Sequence, residues 1–477
     1  MSPSEQPESL YAARVPVFPR RVKGTFRNLK WVIMAITLGI YYVTPWLRWD
    51  RGPDMPDQAV LVDLANRRFF FFMIEIWPHE FYFVAGLLIM AGLGLFLFTS
   101  ALGRVWCGYA CPQTVWTDLF VLVERWVEGD RNARVRLWNQ KWDARKFRLR
   151  ITKWTIWLLI GLATGGAWVF YFTDAPTLLR DLVTLQAHPV AYTTMGVLTA
   201  TTFLFGGFAR EQICIYACPW PRIQAAMMDE DTITVAYREW RGEPRGKHRK
   251  AEGAEQLGDC IDCMACVNVC PMGIDIRDGQ QLECITCALC IDACDEVMEK
   301  IGKPRGLIDY LALKDERLER AGEHPRQIWK HIFRPRTILY TALWSAVGVG
   351  LVVALFVRSP IDVNVTPVRN PIYVTLSDGS IRNTYEIRLR NKQHEERPFE
   401  ITVTSDQPFQ FTSSLEGTDA NFVMVPPNET RTQRLYVVAP PGSVPAQSEH
   451  TDIRIWVQDL DSAARVHSDV VFNGKEN

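Results

Sequence analysis

Apolar blocks long enough to cross a bilayer, which takes about 20 residues, alternate with strongly polar blocks through most of the chain. A separate apolar run, Phe69–Trp77, is cut off by Pro78 and is predicted to be an interfacial segment. The pattern indicates an α-helical transmembrane bundle rather than a plain soluble enzyme. The predicted membrane spans are residues 29–48, 80–102, 152–173, 189–209 and 337–357.

Basic residues are concentrated on one side of these predicted spans. They fill the segments 20–27, 131–150 and 326–336, whereas the segment 50–66 is acidic. Lysine and arginine mark cytoplasmic loops. The N-terminus is therefore predicted to be cytoplasmic, and the chain after the fifth span is predicted to lie outside the cytoplasm. The pair Arg67-Arg68 is the exception, since it would lie on the outer side.

Beyond the fifth span the hydrophobic pattern changes to alternation with a period of two. Short alternating segments over about 110 residues, separated by turn residues, are typical of an immunoglobulin-like sandwich. This region contains no cysteine, and docking to a partner protein is its expected role. The predicted strands are Ile372–Leu376, Tyr385–Leu389, Phe399–Thr404, Phe422–Val425, Arg434–Val438, Thr451–Gln458 and Arg465–Phe472.

Charge and cysteine content exclude two further classes of protein. The 53 basic residues balance the 53 acidic residues, and this argues against a nucleic-acid-binding protein with a broad basic surface. All 12 cysteines occur at or before position 294, mostly in one short block. A secreted disulfide scaffold would not distribute cysteine in this way. The thiols instead indicate metal binding in a reducing compartment.

Residues 260–271 have the spacing C-x2-C-x2-C-x3-C-P, and residues 284–294 repeat the cysteine spacing. This spacing is typical of two-cluster bacterial ferredoxins, in which the fourth cysteine of each run binds the other cluster. Asp295 replaces the proline expected after the second run, which predicts an altered local turn with every ligand kept. One [4Fe–4S] cluster is predicted at Cys260, Cys263, Cys266 and Cys294, and the other at Cys284, Cys287, Cys290 and Cys270.

A parallel internal repeat carries the other four cysteines. Residues 106–113 and 213–220 share the pattern C-x-Y-A-C-P, each after a predicted span. The proline should start a helix, which would place Cys111 and Cys218 at helix N-termini, where the helix dipole lowers the pKa of a thiol. Four such thiolates would form a soft site for Cu(I), zinc or an iron–sulfur cluster, although buried, inert cysteines are the alternative. The four are Cys107, Cys111, Cys214 and Cys218.

Two histidines occupy the opposite ends of the second and fourth predicted spans. His79 and His188 would lie a bilayer thickness from the four thiols, so they cannot bind the same metal ion. They are expected to be interfacial anchors rather than ligands.

Four segments together resemble one protein family. They are 106–116 (W-C-G-Y-A-C-P-Q-T-V-W), 214–224 (C-I-Y-A-C-P-W-P-R-I-Q), 241–246 (R-G-E-P-R-G) and the doubled ferredoxin motif. The sequence resembles the cytochrome c oxidase accessory proteins known as CcoG, FixG or RdxA over essentially its whole length. The resemblance implies a bacterial inner-membrane protein that reduces Cu(II) to Cu(I) for assembly of a cbb-type cytochrome oxidase. It also implies that the paired C-x-x-x-C-P cysteines form a copper or redox site.

The expected organisation follows from these motifs. A cytoplasmic segment (1–28) precedes a four-span membrane domain (29–228), and a cytoplasmic ferredoxin domain (229–336) precedes the fifth helix (337–358) and a periplasmic sandwich (359–477). Within the ferredoxin domain, residues 238–256 are predicted to be a mobile linker, and residues 306–323 are predicted to be a charged helix.

Three functions are compatible with this organisation. The first is cupric reduction, with electrons passing from two clusters to copper at the four thiols. Its expected partners are oxidase subunits, copper chaperones or transporters and membrane lipid, while the electron donor cannot be named. The second is quinol-linked electron transfer, as in membrane ferredoxin subunits of periplasmic reductases. The third is a non-enzymatic assembly scaffold with redox-sensing clusters.

Overall fold

The computed structural model describes residues 16–52, 55–247, 257–358, 361–392, 395–405, 411–416, 421–427 and 429–475. The chain forms two compact units, Met1–Leu351 and Val352–Asn477. The first unit contains every cysteine, and the second is composed almost entirely of β-strands.

The first part of the larger unit is mainly helical. A continuous apolar stretch or a leading proline starts most of its helices, including Pro112 and Pro189. The fourth predicted span begins as an α-helix and continues as a π-helix over Phe203–Ala209. The elements are α1 Thr25–Val43, β1 Val60–Asp63, β2 Arg68–Phe71, β3 Ile74–Ile76, α2 Tyr82–Leu102, α3 Val105–Tyr109, α4 Pro112–Glu128, α5 Arg131–Asn139, α6 Ala144–Val169, α7 Ala175–Val183, α8 Pro189–Thr202 and α9 Trp220–Met227.

The predicted interfacial segment Phe69–Trp77 is folded mostly as a β-hairpin. Strands β1, β2 and β3 form an antiparallel sheet, and the Phe70 side chain is buried within it. Arg68 pairs with Glu75 at 3.4 Å and lies over the Trp77 ring at 4.1 Å. The run of phenylalanines concealed the alternation typical of strands. The pair Arg67-Arg68 was the exception to the charge rule for cytoplasmic loops, and Arg68 of this pair makes the local contact with Glu75 and Trp77.

Two antiparallel strands, one before and one after the cysteine-rich region in the chain, pair with each other. Strand β4 (Thr234–Tyr237) pairs with β5 (Ile308–Leu311), which are separated by more than 70 residues along the chain. The predicted charged helix 306–323 is therefore wrong in its first part, because buried Ile308 and Leu311 belong to a strand. The helices of this region are α10 Glu239–Gly242, α11 Ala265–Val269, α12 Leu289–Lys300 and α13 Leu313–Arg320.

The first part of the predicted mobile linker is ordered. Arg238 donates to Glu319 at 2.8 Å, and Arg241 donates to Asp259 at 2.6 Å. The charges that suggested a solvated tether are therefore used in ion pairs with distant parts of the chain. Residues 248–256 of the prediction lie outside the described residues.

Helices are present at all five predicted span positions. Helix α14 (Ile328–Ile332) precedes α15 (Pro335–Val357), which coincides with the fifth. Within the described part of the chain, α2 and α15 are long and apolar enough to cross a membrane, by length and composition. Helices α1 and α6 contain buried basic residues near their N-termini. The five-span arrangement therefore stays a prediction.

The smaller unit is a two-sheet β-structure. One sheet has the order β10-β12-β8-β6 with β7 paired to β8, and the other has the order β11-β9-β13-β14. Tyr385, Leu389 and Phe399 are fully buried in the common core. All seven predicted segments coincide with strands, and β6 and β10 are additional. The elements are β6 Ile361–Pro367, β7 Val374–Thr375, β8 Ile381–Asn391, β9 Arg397–Ser405, β10 Thr412–Leu415, β11 Phe422–Val425, β12 Thr430–Ala439, α16 Val444–Gln447, β13 His450–Asp459 and β14 Arg465–Asn473.

Candidate functional site

The two cysteine loops share one backbone geometry. In each loop, the residues on both sides of the second cysteine adopt left-handed conformations. The φ angles are 53° at Asp262 and 58° at Met264, and 55° at Thr286 and 59° at Ala288. Non-glycine residues rarely adopt such angles, since they cost about 1–2 kcal/mol each. The cost at four matched positions is typical of loops that must curl to bring three thiols to one point.

The fourth cysteine of each run lies among the thiols of the other run. Helix α12 carries Cys294 to the thiols of Cys266, Cys263 and Cys260, which are its electrostatic neighbours. Cys270 at the end of α11 has Cys287 and Cys284 as its thiol neighbours. Each fourth cysteine thus has thiols of the other run as neighbours, and the assignment of the eight cysteines to two clusters stays a prediction.

The residues present fit two iron–sulfur clusters. Cysteines from both loops line a cavity whose remaining walls are almost wholly apolar. Burial raises the pKa of Cys284 to about 11 and that of Cys270 to about 12. Thiols of this kind lose their protons on binding iron. Cys263 is exposed, so the set containing it reaches solvent at this residue, whereas none of the four cysteines of the other set is exposed.

The aspartate in place of the second proline has a structural consequence. Helix α11 ends at Val269, just before the Cys270–Pro271 pair, whereas α12 continues past Cys294 to Lys300. A proline at position 295 would remove the main-chain donor needed inside this helix. Asp295 also accepts a hydrogen bond from the Gly306 N–H at 2.9 Å. The altered turn predicted from the sequence is therefore a helix extension.

The two C-x-x-x-C-P motifs lie side by side. The thiols of Cys107 and Cys214 each have thiols of the opposite motif as electrostatic neighbours. The Cys107 thiol donates to Gln224 Oε1 at 3.2 Å, in the helix that follows Cys218. Cys111 is the N-cap of α4, as predicted, but Cys218 precedes the N-cap Pro219 by one residue. The parallel repeat thus brings the four thiols together.

Neither these four thiols nor the eight clustered thiols form a preformed site for a single metal ion. Among the described residues, no group of three or more His, Cys, Asp or Glu side chains is arranged to hold a single metal ion. Burial raises the pKa of Cys107 and raises that of Cys214 to about 12. For these two thiols desolvation is the larger effect, whereas the lowered pKa expected from a helix N-terminus concerns Cys111 and Cys218 and stays a prediction.

The first motif packs directly against the loop that contains Cys284 and Cys287, and nothing in the sequence indicates this contact. A Cβ atom built on Gly108 would lie 2.6 Å from the Ile285 carbonyl oxygen and 3.0 Å from Cys287 Cα. The Tyr109 hydroxyl donates to the Cys287 carbonyl at 3.2 Å, and Arg104 donates to the Cys284 carbonyl at 3.0 Å. Cys107 is therefore adjacent in sequence to a residue in van der Waals contact with the Cys287 backbone.

The N-terminal helix is attached to the same region. Asp292, between two cysteines of α12, accepts hydrogen bonds from the N–H groups of Phe26 at 3.2 Å and Arg27 at 2.7 Å. These donors belong to the first turn of α1, which has no partner for them within the helix. The Arg27 guanidinium in turn pairs with buried Asp118 of α4 at 2.9 Å. The cluster region, α1 and α4 therefore form one packed assembly.

A buried ionic group supports the second motif from the opposite side. The Glu124 carboxylate pairs with Arg134, Arg210 and, at 3.3 Å, Lys153. Burial acts to raise the pKa of Glu124, but these cations outweigh it and lower the pKa to about 2. Arg210 lies four residues before Cys214, so this ionic group fixes the entry to the second motif.

Of the two histidines, only His188 has a described side chain. Its Nδ1 accepts from the Val190 N–H at 3.3 Å at the start of α8, and the ring is exposed. Helix α8 separates it from the four thiols, consistent with its exclusion from that site. The His79 side chain lies outside the described residues.

Family models match three parts of the chain. Residues 209–312 match a 4Fe-4S dicluster domain, and residues 83–129 match a 4Fe-4S binding domain. Residues 351–475 match an IG-like fold found at the C-terminal of FixG. The first match contains the eight clustered cysteines and the second C-x-x-x-C-P motif, and the second match contains the first of these motifs.

Three curated proteins are similar over most of the chain. Protein RdxB of Cereibacter sphaeroides is 75% identical over 100% of both chains. Protein RdxA of the same organism is 67% identical over 95% of both chains. Nitrogen fixation protein FixG of Rhizobium meliloti is 55% identical over 83% of this chain and 80% of its own length.

Proposed function

Because the chain belongs to the FixG/RdxA family of iron–sulfur proteins, we propose that it is a membrane-bound cupric reductase. It reduces Cu(II) to Cu(I) for the assembly of a cbb-type cytochrome oxidase. Its role as an iron–sulfur protein of oxidoreductase type rests on the matched domains. The copper step rests on the four thiols beside a cluster-binding loop.

The contact at Gly108 is the observation that carries the proposal. Clusters held by the eight cysteines would supply single electrons. Cys107 is joined to the ligand set that contains Cys287 through Gly108, which packs against Cys287, and through the Tyr109 hydrogen bond to the same residue. A backbone-to-backbone contact without an intervening side chain gives a short connection between donor and acceptor. The exposed Cys263 set is the corresponding point of electron entry.

Copper suits the chemistry of the four thiols. Soft thiolate ligands favour Cu(I) over Cu(II), so binding at Cys107, Cys111, Cys214 and Cys218 would favour one-electron reduction of the ion. Since burial raises the pKa of Cys107 and Cys214, metal binding must release protons. Cu(II) is the substrate in this proposal and gains one electron per ion.

A single-turnover experiment tests the proposal. The clusters of the purified protein are reduced anaerobically, Cu(II) is added, and Cu(I) is captured with a chelator while cluster oxidation is followed by EPR. Wild type is compared with the double variants Cys107→Ser/Cys111→Ser and Cys214→Ser/Cys218→Ser, with Ala110→Ser/Ala217→Ser as the matched control. We expect one Cu(I) per electron lost in wild type and control, and neither reaction in the cysteine variants. Clusters that stay reduced in wild type would refute the proposal.

An iron–sulfur cluster is the rival occupant of the four thiols. The match of residues 83–129 to a 4Fe-4S binding domain favours it. Iron analysis separates the two, because a third cluster would raise the iron content above that of two clusters. The same double variants would then lose iron, whereas under the copper proposal their iron content equals that of wild type.

Quinol-linked electron transfer is the second candidate function, and one cavity favours it. The cavity, of about 400 Å³, contacts Cys284 and is also lined by Arg104, Thr232, Met228 and Leu282. Thr232 lies beside Arg334, which precedes α15, and both contact Ser100 at the end of α2. A neutral redox headgroup could therefore reach a cluster ligand near the ends of both apolar helices. Reduction of the clusters by a soluble quinol would support this function.

The location and partners complete the proposal. We place the protein in the bacterial inner membrane, with five spans, a cytoplasmic cluster region and a periplasmic sandwich. Oxidase subunits and copper chaperones or transporters would be its partners. If the cysteine double variants still assemble active oxidase, the protein would instead act as a non-enzymatic scaffold with redox-sensing clusters.

A further inference from the structure

A second cavity lies away from the cysteines, at the N-terminal end of α6. It has a volume of about 500 Å³, within the range of about 300–1,000 Å³ typical of small-molecule sites. Four tryptophans line it, and they differ in exposure. Trp138 and Trp142 are 51% and 64% exposed, whereas Trp157 is 1% exposed, with Trp154 between them. The cavity therefore runs from an aromatic rim into a closed interior.

Basic side chains line the interior of this cavity. Lys153 and Arg150 are buried and pair with Glu128 at 2.9 Å and 3.1 Å. Arg210 and Lys153 share Glu124. Arg150 and Lys153, three residues apart on α6, form one basic wall with Arg210 from a different segment. The two glutamates largely compensate the charges of this wall.

Lys146 is the exception on this wall. Its side chain lines the cavity and the residue is only 5% exposed. The ammonium donates to the Trp138 carbonyl at 3.1 Å and to the Gln140 carbonyl, and it has no ion-pair partner in the described part of the chain. Asp143, the acid nearest in sequence, instead caps α6 through the Lys146 main-chain N–H at 2.7 Å.

A buried ammonium without a counter-ion is unfavourable, because burial removes its hydration and carbonyl dipoles replace only part of it. Besides these two carbonyls, the Lys146 ammonium has the face of the Trp142 ring at 5.2 Å and no third oxygen acceptor in the described contacts. An anion in the cavity would supply both the charge and the acceptor. Basic side chains also outnumber acidic ones in the lining of the cavity, which favours an anion. They are Lys146, Arg150, Lys153 and Arg210 against Glu124 and Glu211.

We propose that this cavity binds the phosphate of an anionic phospholipid, with Lys146 as its principal counter-ion. Tryptophan is enriched where proteins meet lipid headgroups, and basic pockets on the cytoplasmic side bind acidic lipids. The helix surface beyond the cavity is apolar and exposed at Phe147, Ile151, Leu158 and Leu159. Acyl chains continuing from a bound headgroup would cover this surface, which a free phosphate ion could not. This inference does not depend on copper or on the clusters.

The test measures lipid retained by the purified, cluster-loaded protein. Wild type, Lys146→Gln and Lys146→Arg are extracted in mild detergent, and bound phospholipid is quantified by mass spectrometry. Lys141→Gln, which removes an exposed lysine of the same segment, is the matched control. Cardiolipin, phosphatidylglycerol, phosphatidylcholine or inorganic phosphate is then added separately, and thermal stabilisation is measured. Elution volume and the cluster absorbance of each variant establish that it is folded.

We expect wild type, Lys146→Arg and Lys141→Gln to retain anionic phospholipid. Lys146→Gln should bind it about fivefold more weakly, since one basic residue contributes about 1 kcal/mol to binding anionic lipid. Only the anionic lipids should stabilise wild type. Equal lipid retention by Lys146→Gln and Lys141→Gln would overturn the proposal, as would equal stabilisation by phosphatidylcholine. Stabilisation by inorganic phosphate alone would overturn the lipid as occupant and leave a free-anion site.

Discussion

Replacing Gly108 with alanine tests whether the first C-x-x-x-C-P motif is coupled to the cluster loop. The new Cβ would lie 2.6 Å from the Ile285 carbonyl oxygen, and ordinary contact begins near 3.4 Å, so the two backbones must separate by roughly 0.8 Å. Both obstacles are main-chain atoms that cannot rotate away. Overpacking of this kind costs about 1–3 kcal/mol.

Local helix propensity alone predicts that Gly108→Ala would stabilise the protein. Gly108 lies inside α3, where alanine is favoured over glycine by about 1 kcal/mol. Since the clash is against backbone, we take the upper part of the overpacking range and expect a net loss of about 1–2 kcal/mol. That loss corresponds to a factor of about 5–30 in the population of the opened cluster loop.

Release of iron to a strong chelator measures this population under anaerobic conditions, with the cluster absorbance as the signal. We expect Gly108→Ala to lose iron about 5–30 times faster than wild type and to show slower oxidation of the reduced clusters by Cu(II). Gly92→Ala in α2 is the control, since a Cβ there meets nothing within 4 Å. Iron release from Gly108→Ala at or below the wild-type rate would refute the reasoning.

Further predictions concern the ligands, the buried ionic group and the helix cap. Cys294→Ser and Cys270→Ser should each lose one cluster and keep the other, seen as halved iron content and loss of one EPR signal; loss of both from either variant would contradict the assignment. Glu124→Gln should destabilise the larger unit by about 3–5 kcal/mol, because buried cations lose their counter-ion. The pKa of Glu124 is lowered from 4.5 to about 2, so its contribution is fully present above about pH 4.5, and acid unfolding monitored by circular dichroism should consume it as the pH falls towards 2. Asp292→Ala should cost about 0.5–2 kcal/mol as a lost helix cap and increase proteolysis before α1, whereas Asp295→Ala should leave that cleavage unchanged.

The sequence was most informative where one pattern decides the local structure. Alternation located all seven expected strands of the smaller unit, and Phe422–Val425 has the predicted bounds. Strand β10 (Thr412–Leu415) was missed because its short, serine-rich stretch is held by pairing with β12. Strand β6 was missed because it follows the apolar helix α15 closely, without a long turn. Both depend on distant partners rather than on local preference.

The candidate site shows the same division. Cysteine spacing predicts the tight loop around each second cysteine, because that geometry is local, and the left-handed residues on both sides of Cys263 and Cys287 agree with it. The packing of Gly108 on Cys287 and the hydrogen bonds that α1 donates to Asp292 join segments far apart in the chain. Hydrophobic periodicity does not predict such contacts. From the sequence alone, Gly108 and Asp292 are as compatible with exposed turns as with these buried contacts. The raised pKa values of Cys107 and Cys214 were likewise not predictable from the sequence, because their burial depends on the tertiary fold.

The cap that Asp292 gives to α1 constrains the order in which the protein can be made. Arg27 and Asp292 are 265 residues apart, so at about 5–20 residues per second the ribosome takes roughly 13–53 s to supply the cap after the helix has emerged. During that interval the first helix has open N–H groups and no ferredoxin region to dock on. Maturation of the whole larger unit therefore waits for iron–sulfur loading near its end, and a cell short of iron should accumulate chains with an undocked, protease-sensitive N-terminus.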